Sequence, residues 1–268
     1  MLENFSKNFI ENSKDLIEKG YFIVDTEDIE DLGNIRKSFL GYLKDSYDID
    51  LTEKQLEFLH EKVSVSDIND IRYGFYKHIN NLEEDFALRY LNLAKDSVIE
   101  VAGSELASNK NVNFSIQMPN DKSSVLPLHS DIFSGESPYQ VNLWVPLTNA
   151  ADTNSMFLFN PEFSRYVCKN FSKYEKQGIE GLMDDNVENF SFLTVPYGKV
   201  LIFSPTCLHG NIINKTETTR ISFNCRYKNL FTPYNKAKES EKKLATFYKP
   251  ITPTAASFIG LNFEIDED

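Results

Sequence analysis

The second half of the chain, from about residue 111, consists of short segments rich in aromatic and β-branched residues and bounded by Pro, Gly, Asn and Asp. They read NVNFSIQMP, YQVNLWVPL, SMFLFNP, SFLTVPYGKVLIFSP and RISFNCRYKNLF. Such segments predict short β-strands separated by turns. Many short strands in succession are typical of a β-sandwich or a β-barrel, and this pattern limits the core to one of those two architectures.

The first hundred residues show helical periodicity instead, apart from one short predicted strand, GYFIVD, at 20–25. The form of a capping box at Thr52 and Gln55 predicts a helix over TEKQLEFLHEK. In segment 82–102 the apolar residues follow one helical face, namely Leu82, Phe86, Tyr90 and Leu93. Helices followed by strands indicate an α+β fold whose helices pack outside the β core.

A chain of 268 residues and 30.8 kDa is long enough for one large domain, so we predict a single domain over 1–268. Within it we expect a mainly helical support region at 1–110 and the β core at 111–232. Residues 162–190 break the strand pattern and predict a partly helical insertion. The remainder, 233–268, predicts a C-terminal helix and an extended tail.

The formal net charge is −12, and an acidic chain repels phosphate backbones and anionic lipids. Nucleic acids and membrane surfaces are therefore poor candidate partners. The N-terminus lacks the features of a signal peptide, and no apolar run approaches 18 residues. The three cysteines are widely spaced and form no CxxC, which argues against disulfides or a zinc knuckle and fits the reducing cytoplasm.

A possible metal site begins at His129-Ser-Asp131. Side chains two residues apart on a strand edge project to the same side, so an imidazole and a carboxylate can converge on one ion. The motif is weak alone, because a polar surface turn has the same composition. The one histidine downstream is His209. Two histidines and one carboxylate leave three octahedral positions open, as in non-haem Fe(II) oxygenases, although Mn, Co, Ni or Zn would also accept these ligands.

A candidate anion receptor follows at Arg220 and Ser222, which share one strand face. The planar guanidinium bonds a carboxylate with two parallel hydrogen bonds and stays charged, and a neighbouring hydroxyl adds another donor. The alternative is a solvated strand-edge cation beside an ordinary polar residue. Finding the three metal-ligand candidates and this pair together in the β-rich half favours the functional interpretation.

Together these residues resemble the Fe(II)/2-oxoglutarate-dependent oxygenases, in particular the phytanoyl-CoA dioxygenase-like group. The resemblance covers roughly 110–230. It rests on His129-Ser-Asp131, His209-Gly210-Asn211 with Asn214, Arg220-Ile-Ser222 and the strand LWVPLTNA at 143–150. The motifs HSD, NLWVPLT and LHGN also resemble those of relatives found among carbohydrate-assembly genes.

The resemblance implies a double-stranded β-helix, the cupin-like jelly roll, which holds the metal at its wider mouth. It implies that His129, Asp131 and His209 bind Fe(II). Arg220 would bind the distal carboxylate of 2-oxoglutarate with help from Ser222, and O₂ would be the second cosubstrate.

Four further residues are candidate pocket residues. Gln117 lies on the strand before the metal motif. Asn142 and Trp144 lie on the strand after it and share one face, although the alternation of side chains does not decide which face is inward. Arg226 is separated from Arg220 by an even number of positions, so its side chain should point to the same face of the strand. It would either contact an anionic substrate or lie on the surface. The insertion at 162–190 is a candidate lid, because substrate choice often lies in such segments.

The activity implied is oxidation of a small soluble substrate with release of succinate and CO₂. The narrower resemblance points to a sugar or sugar nucleotide in polysaccharide or glycoconjugate biosynthesis. Since related halogenases lack the carboxylate ligand, Asp131 favours hydroxylation, desaturation, epimerisation or ring formation. One alternative is another metal-dependent cupin-like enzyme, either an isomerase or a 2-oxoglutarate-independent dioxygenase, in which Arg220 would have no purpose. The other is a non-enzymatic jelly-roll binding module, and the oligomeric state stays open.

Overall fold

The computed structural model describes residues 11–82, 85–174, 179–233, 242 and 244–262. The described helices are α1 (Glu11–Glu18), α2 (Ile29–Tyr47), α3 (Ile68–Leu82), α4 (Phe86–Leu91), α5 (Lys95–Ala102), α6 (Pro161–Lys169), α7 (Phe171–Tyr174), α8 (Ile179–Asp184) and α9 (Ala255–Leu261). None of the helices in this part of the chain is both long and apolar enough to cross a membrane.

The described strands are β1 (Tyr21–Asp25), β2 (Leu106–Asn109), β3 (Asn113–Gln117), β4 (Gln140–Pro146), β5 (Phe157–Phe159), β6 (Phe190–Phe192), β7 (Lys199–Phe203), β8 (His209–Gly210), β9 (Arg220–Asn229) and β10 (Tyr248–Pro250). They form a larger antiparallel sheet in the order β1-β7-β4-β9-β2-β10, with β3 also paired to β9, and a smaller antiparallel sheet in the order β6-β5-β8. The expected combination of helices and short strands is confirmed.

The main hydrophobic core lies between the helices and the outer face of the larger sheet. It takes the odd-numbered residues of β9, such as Ile221 and Phe223, because alternate side chains of a strand point to opposite faces. The ring of Phe114 lies 5.1 Å from that of Phe39 and 4.9 Å from that of Phe223. Burying such a side chain contributes about 1.5–3 kcal/mol. The N-terminal helices therefore support the sheet that carries the site.

The even-numbered residues of β4 and β9, and the odd-numbered residues of β7, face the smaller sheet. Trp144 and Phe203 from the larger sheet and Leu158 from β5 share a second apolar cluster between the two sheets. The inward face of β4 is thus the one that bears Asn142 and Trp144. This decides the orientation that strand parity leaves open.

The insertion packs on the outer face of the smaller sheet. In α6, Phe163 stacks on Phe159 of β5 at 5.3 Å, and Val167 and Leu182 belong to the same cluster. Farther along, Phe171 contacts Phe133 at 4.6 Å, two residues beyond the metal motif. The partly helical character predicted for 162–190 agrees with its described residues.

Three features of the secondary structure differ from the prediction. The strands that follow the N-terminal helices begin at Leu106 rather than at residue 111, because β2 pairs with the C-terminal end of β9. The segment after the Thr52–Gln55 capping box is a 3-10 helix, Glu53–Glu61, with non-helical backbone angles at Phe58. Pro253 precedes α9 instead of prolonging an extended tail, since the side chain of Thr254 caps that helix by accepting a hydrogen bond from Ser257. The first part of the predicted C-terminal region, 234–243, lies largely outside the described residues.

Candidate metal centre

His129 and His209 lie opposite each other in an antiparallel bridge. The backbone N–H of His129 donates to the carbonyl of His209 at 2.9 Å, and the reverse bond is 2.8 Å. Directly paired residues project to the same side of a β-ribbon, and the two ring centroids are 4.3 Å apart. Local pairing therefore brings the two imidazoles together.

Asp131 is placed by a turn of 3-10 helix, Asp131–Ser134, that follows the first histidine. Its backbone N–H donates to the carbonyl of Pro205 at 3.1 Å, as does the hydroxyl of Ser130 at 2.8 Å. The carboxylate Oδ1 is 3.6 Å from Nε2 of His129. One ligand atom from each of these histidines and from Asp131 lies within 4.8 Å of the others. Metal–ligand bonds of about 2.1 Å would require only a small contraction of this cluster around an ion.

The orientation of both imidazoles suits metal binding. Nδ1 of His129 lies 2.8 Å from the carbonyl of Pro127, and Nδ1 of His209 lies 2.9 Å from the carbonyl of Cys207. A carbonyl oxygen only accepts, so Nδ1 carries the proton and Nε2 keeps a free lone pair. Metal-binding histidines are usually oriented in this way. The donor set thus fits a divalent ion such as Fe(II).

The charge states also suit an ion. Burial lowers the pKa of His209 to about 4, against the opposing influence of Asp131, so this imidazole is neutral at pH 7. Burial raises the pKa of Asp131, but the positive charge of the Arg226 guanidinium outweighs it. The pKa therefore lies well below the usual range of a carboxyl, and the group is ionised.

Two residues next to His209 hold the ligand loops together. A Cβ on Gly210 would lie 2.7 Å from the carbonyl oxygen of Leu126, closer than real Cβ contacts allow. The side chain of Asn211 accepts from the backbone N–H of Leu126 at 2.5 Å and donates to the carbonyl of Ser124 at 3.1 Å. The Gly-Asn pair of the motif therefore fastens the segment that leads into His129.

Arg220 lies on the inner face of β9, and its residue is 5% exposed. Its guanidinium donates to Ser222 Oγ at 2.5 Å, to Gln117 Oε1 at 3.1 Å and to the carbonyl of Asn154 at 2.9 Å. Burial lowers its pKa to about 10, which leaves it charged at pH 7. Within the described part of the chain, no carboxylate forms an ion pair with Arg220.

The two histidines of the metal-ligand cluster and the guanidinium of Arg220 line one cavity of about 250 Å³. Its lining includes His129, His209, Trp144, Arg220, Ser222 and Arg226. Four polar lining residues are not among those predicted from the sequence, namely Asn113, Ser115, Ser124 and Asn224. Asn224 could have been predicted, because it is an even-numbered residue of the same strand as Arg220 and Ser222 and so points to the same face. The pairing of β3 with β9 places Asn113 opposite Asn224 and Ser115 opposite Ser222.

The remaining predicted site residues occupy definite places. Gln117 contacts the guanidinium of Arg220, and the ring of Trp144 lies 5.8 Å from it. Asn142 and Arg226 contact the metal-ligand candidate Asp131 instead. Arg226 lines the cavity, and its guanidinium forms a buried ion pair with Asp131 at 2.9 Å. Its role toward a substrate stays a prediction.

The fold was compared with solved structures. ThoJ, a non-haem monooxygenase solved as a nickel complex, matches 92% of this chain and 86% of its own, with a TM-score of 0.56 and 13% identity. HygX from Streptomyces hygroscopicus with iron bound matches 82% of this chain and 86% of its own, with a TM-score of 0.53 and 15% identity. HygX is also known with nickel and 2-oxoglutarate bound.

The chain shares its fold with ThoJ and HygX. The family resemblance seen in the sequence is thereby confirmed at the level of the fold. No protein-family model matches the chain. Among curated proteins, the streptomycin biosynthesis protein StrG of Streptomyces griseus is 27% identical over 99 residues. That match covers 37% of this chain and 35% of the length of StrG.

Proposed function

We propose that this protein is a non-haem Fe(II)- and 2-oxoglutarate-dependent oxygenase with a double-stranded β-helix core. One observation carries the proposal: the buried guanidinium of Arg220, which forms no ion pair with a described carboxylate, opens into the same cavity as His129 and His209, which cluster with Asp131. A buried charge needs a partner. A dicarboxylate with one end at Arg220 and the other at the metal supplies it.

The roles of the residues follow from this arrangement. His129, Asp131 and His209 hold the ion and leave three positions open. The fork of Arg220 holds the distal carboxylate, and Ser222 completes the receptor. Bound Fe(II) would supply the redox chemistry that couples O₂ to the decarboxylation of 2-oxoglutarate, with succinate and CO₂ released. The protein itself orients the reactants, and the apolar cluster between the sheets excludes water from them.

The substrate is a small polar molecule, and we propose a carbohydrate, either a sugar or a sugar nucleotide. The neutral amides of Asn113 and Asn224 and the hydroxyl of Ser115 line the cavity and suit hydroxyl groups of a substrate. The similarity to the streptomycin biosynthesis protein StrG agrees with the resemblance to relatives found among carbohydrate-assembly genes. Retention of the carboxylate ligand supports hydroxylation, desaturation, epimerisation or ring formation rather than halogenation.

We also propose that the chain forms a single domain and works in the cytoplasm. The three cysteines, Cys168, Cys207 and Cys225, are free thiols, and free thiols are usual in a reducing compartment. The strongly acidic net charge argues against nucleic acid as a partner.

The proposal is tested by adding Fe(II) and 2-oxoglutarate without oxygen. A weak visible charge-transfer band is expected in the wild type, and its loss in His129→Ala and in Arg220→Ala. His78→Ala is the matched control, since His78 packs against Tyr42 on the helical side, with 5.0 Å between the rings, and should retain the band. If the wild type neither shows the band nor binds 2-oxoglutarate, the proposal is wrong. Full activity with Zn²⁺ alone would indicate another metal-dependent enzyme.

The substrate class is tested by measuring succinate release over a panel of sugars, sugar phosphates and sugar nucleotides. We expect stimulation of succinate release by at least one carbohydrate. Stimulation only by a fatty acyl thioester or an amino acid would contradict the carbohydrate assignment, while leaving the proposed reaction class intact.

A further inference from the structure

The two oxygens of the Asp131 carboxylate have different surroundings. Oδ2 accepts from the amide Nδ2 of Asn142 at 2.6 Å and from Nε of Arg226 at 3.3 Å. Oδ1 accepts from Nη2 of Arg226 at 2.9 Å and faces Nε2 of His129 at 3.6 Å. One oxygen therefore points toward the metal-ligand cluster, and the other is held by two donors on β4 and β9.

Arg226 also lies next to a second buried carboxylate, that of Glu136. The carboxylate of Glu136 lies 4.0 Å from its Nε, and that carboxylate accepts from Nζ of Lys242 at 2.8 Å and from the hydroxyl of Tyr248 at 2.6 Å. The Glu136 side chain is 2% exposed. A chain of alternating charges thus runs from the C-terminal region to the metal-ligand candidate Asp131.

The way in which the Asp131 carboxylate binds determines how many coordination positions of the metal ion stay open. A carboxylate can bind a metal through one oxygen or through both. Binding through both would occupy a fourth position and leave two, whereas 2-oxoglutarate and O₂ together require three. Donors on Oδ2 occupy the lone pairs that a second metal–oxygen bond would need.

We propose that Arg226 and Asn142 are positioning residues that cap Oδ2 of Asp131, so that the carboxylate presents a single oxygen to the metal. Glu136, anchored by Lys242 and Tyr248, keeps the guanidinium in place. This inference rests on the metal site of the proposed function. It assigns Arg226 to the metal ligand rather than to the substrate.

The test uses Co(II) as the probe, because its visible absorption reports coordination number and geometry and needs no turnover. Arg226→Met removes the guanidinium that contacts both oxygens and so uncaps Oδ2, and Arg226→Lys keeps the charge but loses the two-pronged contact. We expect Arg226→Met to weaken Co(II) binding about 10–100-fold, the usual effect of removing a group that orients a metal ligand. Both variants should also change the absorption spectrum of bound Co(II). Asn142→Leu, which uncaps Oδ2 alone, should change the spectrum as well.

The matched control is Arg89→Met, which breaks an arginine–aspartate pair with Asp31 on the helical side of the molecule. It should leave the Co(II) affinity and spectrum unchanged within twofold, even where it lowers the melting temperature. Tyr248→Phe removes a more remote hydroxyl, which contacts Glu136 and Gln140. It should shift the affinity in the same direction as Arg226→Met, by less than tenfold.

Unchanged Co(II) affinity and spectrum in folded Arg226→Met, Arg226→Lys and Asn142→Leu would overturn the inference. So would a spectral change in Arg89→Met as large as that in Arg226→Met, because the effect would then be general destabilisation. Failure of the proposed function is a different result: wild-type protein that binds Co(II) but shows no spectral response to 2-oxoglutarate.

Discussion

His129 and His209 exchange two backbone hydrogen bonds, 2.9 and 2.8 Å long, although they are far apart in the sequence. Backbone pairing thus sets the spacing of the two imidazoles. The metal site should therefore respond to changes that shift this pairing without touching a ligand, and Gly210 is the residue where such a change can be made.

We expect Gly210→Ala to lower the free energy of unfolding by about 1–3 kcal/mol, the usual effect of overpacking. It should also weaken metal binding, because the added methyl group meets the carbonyl oxygen of Leu126 at 2.7 Å and forces the two segments apart. Chemical denaturation and Co(II) titration would measure the two effects.

Gly41→Ala is the matched control for that substitution. Gly41 lies within α2, and a Cβ there meets nothing within 4 Å. Alanine in a helix is favoured over glycine by about 0.5–1 kcal/mol, so this variant should be slightly more stable and should bind metal normally. Equal effects of the two substitutions on metal binding would contradict the role given to the bridge.

Ser222→Asp should block the binding of 2-oxoglutarate. The new carboxylate would lie beside the guanidinium of Arg220, which now contacts Ser222 Oγ at 2.5 Å, and would pair with it in place of the cosubstrate. We expect at least about a tenfold rise in the Kd for 2-oxoglutarate, or about 1.4 kcal/mol, with Co(II) affinity preserved. Calorimetry would measure both constants.

Ser222→Asn has nearly the same shape as Ser222→Asp but carries no charge, so it isolates the electrostatic effect. Its Kd for 2-oxoglutarate should rise less than that of the aspartate variant. If the two variants bind the cosubstrate equally, steric crowding explains the loss, and the role of Arg220 as a carboxylate receptor loses its support.

Phe223→Ala should destabilise the protein by about 3–5 kcal/mol, as expected for a large aromatic residue removed from a core. Phe223 points away from the cavity, and its ring lies 4.9 Å from that of Phe114 and 5.5 Å from that of Phe86. Phe258→Ala, at a side chain that is 61% exposed, should change stability by less than about 0.5 kcal/mol. Denaturant titrations of both variants would check this, and a mild effect at Phe223 would show that the helical layer is weakly coupled to the sheet.

Lys228 should make stability depend on pH. Its Nζ donates to the carbonyl of Thr232 at 2.6 Å, and burial lowers its pKa to about 8 from 10.5. Between these values the unfolded chain binds more protons than the folded one, so the free energy of unfolding rises with pH in this window. The difference in stability between wild type and Lys228→Met should therefore move in favour of the wild type from pH 8 to 10. A difference that stays constant over that range would show that the pKa of Lys228 is unperturbed.

Much of the site was predictable from local sequence. His129 and Asp131, and likewise Arg220 and Ser222, lie two residues apart, and strand geometry alone places such pairs on one side. The short strands of the second half were predictable for the same reason, because periodicity is a property of neighbouring residues. The helical face predicted for 82–102 was right for Phe86, Tyr90 and Leu93, which are buried, but wrong for Leu82, which is 61% exposed at the end of α3.

Other parts of the site depend on pairing between distant segments. Arg226 shares the parity of Arg220, and parity alone indicated a cavity-facing cation. The β4–β9 register places Arg226 opposite Asn142, and both side chains contact Asp131. The positive charge of Arg226 is therefore paired with the carboxylate of this metal-ligand candidate. Glu136 could not be identified at all, since it lies in an irregular loop without periodicity.

The sequence by itself determined the types of the main elements, the three candidate metal ligands and the candidate carboxylate receptor, because each depends on the spacing of a few adjacent residues. The tertiary structure decided which strand faces look inward, how His129 meets His209, and which groups surround the Asp131 carboxylate. Those relationships depend on strand register and loop packing, which are set by contacts between residues that the chain order keeps apart.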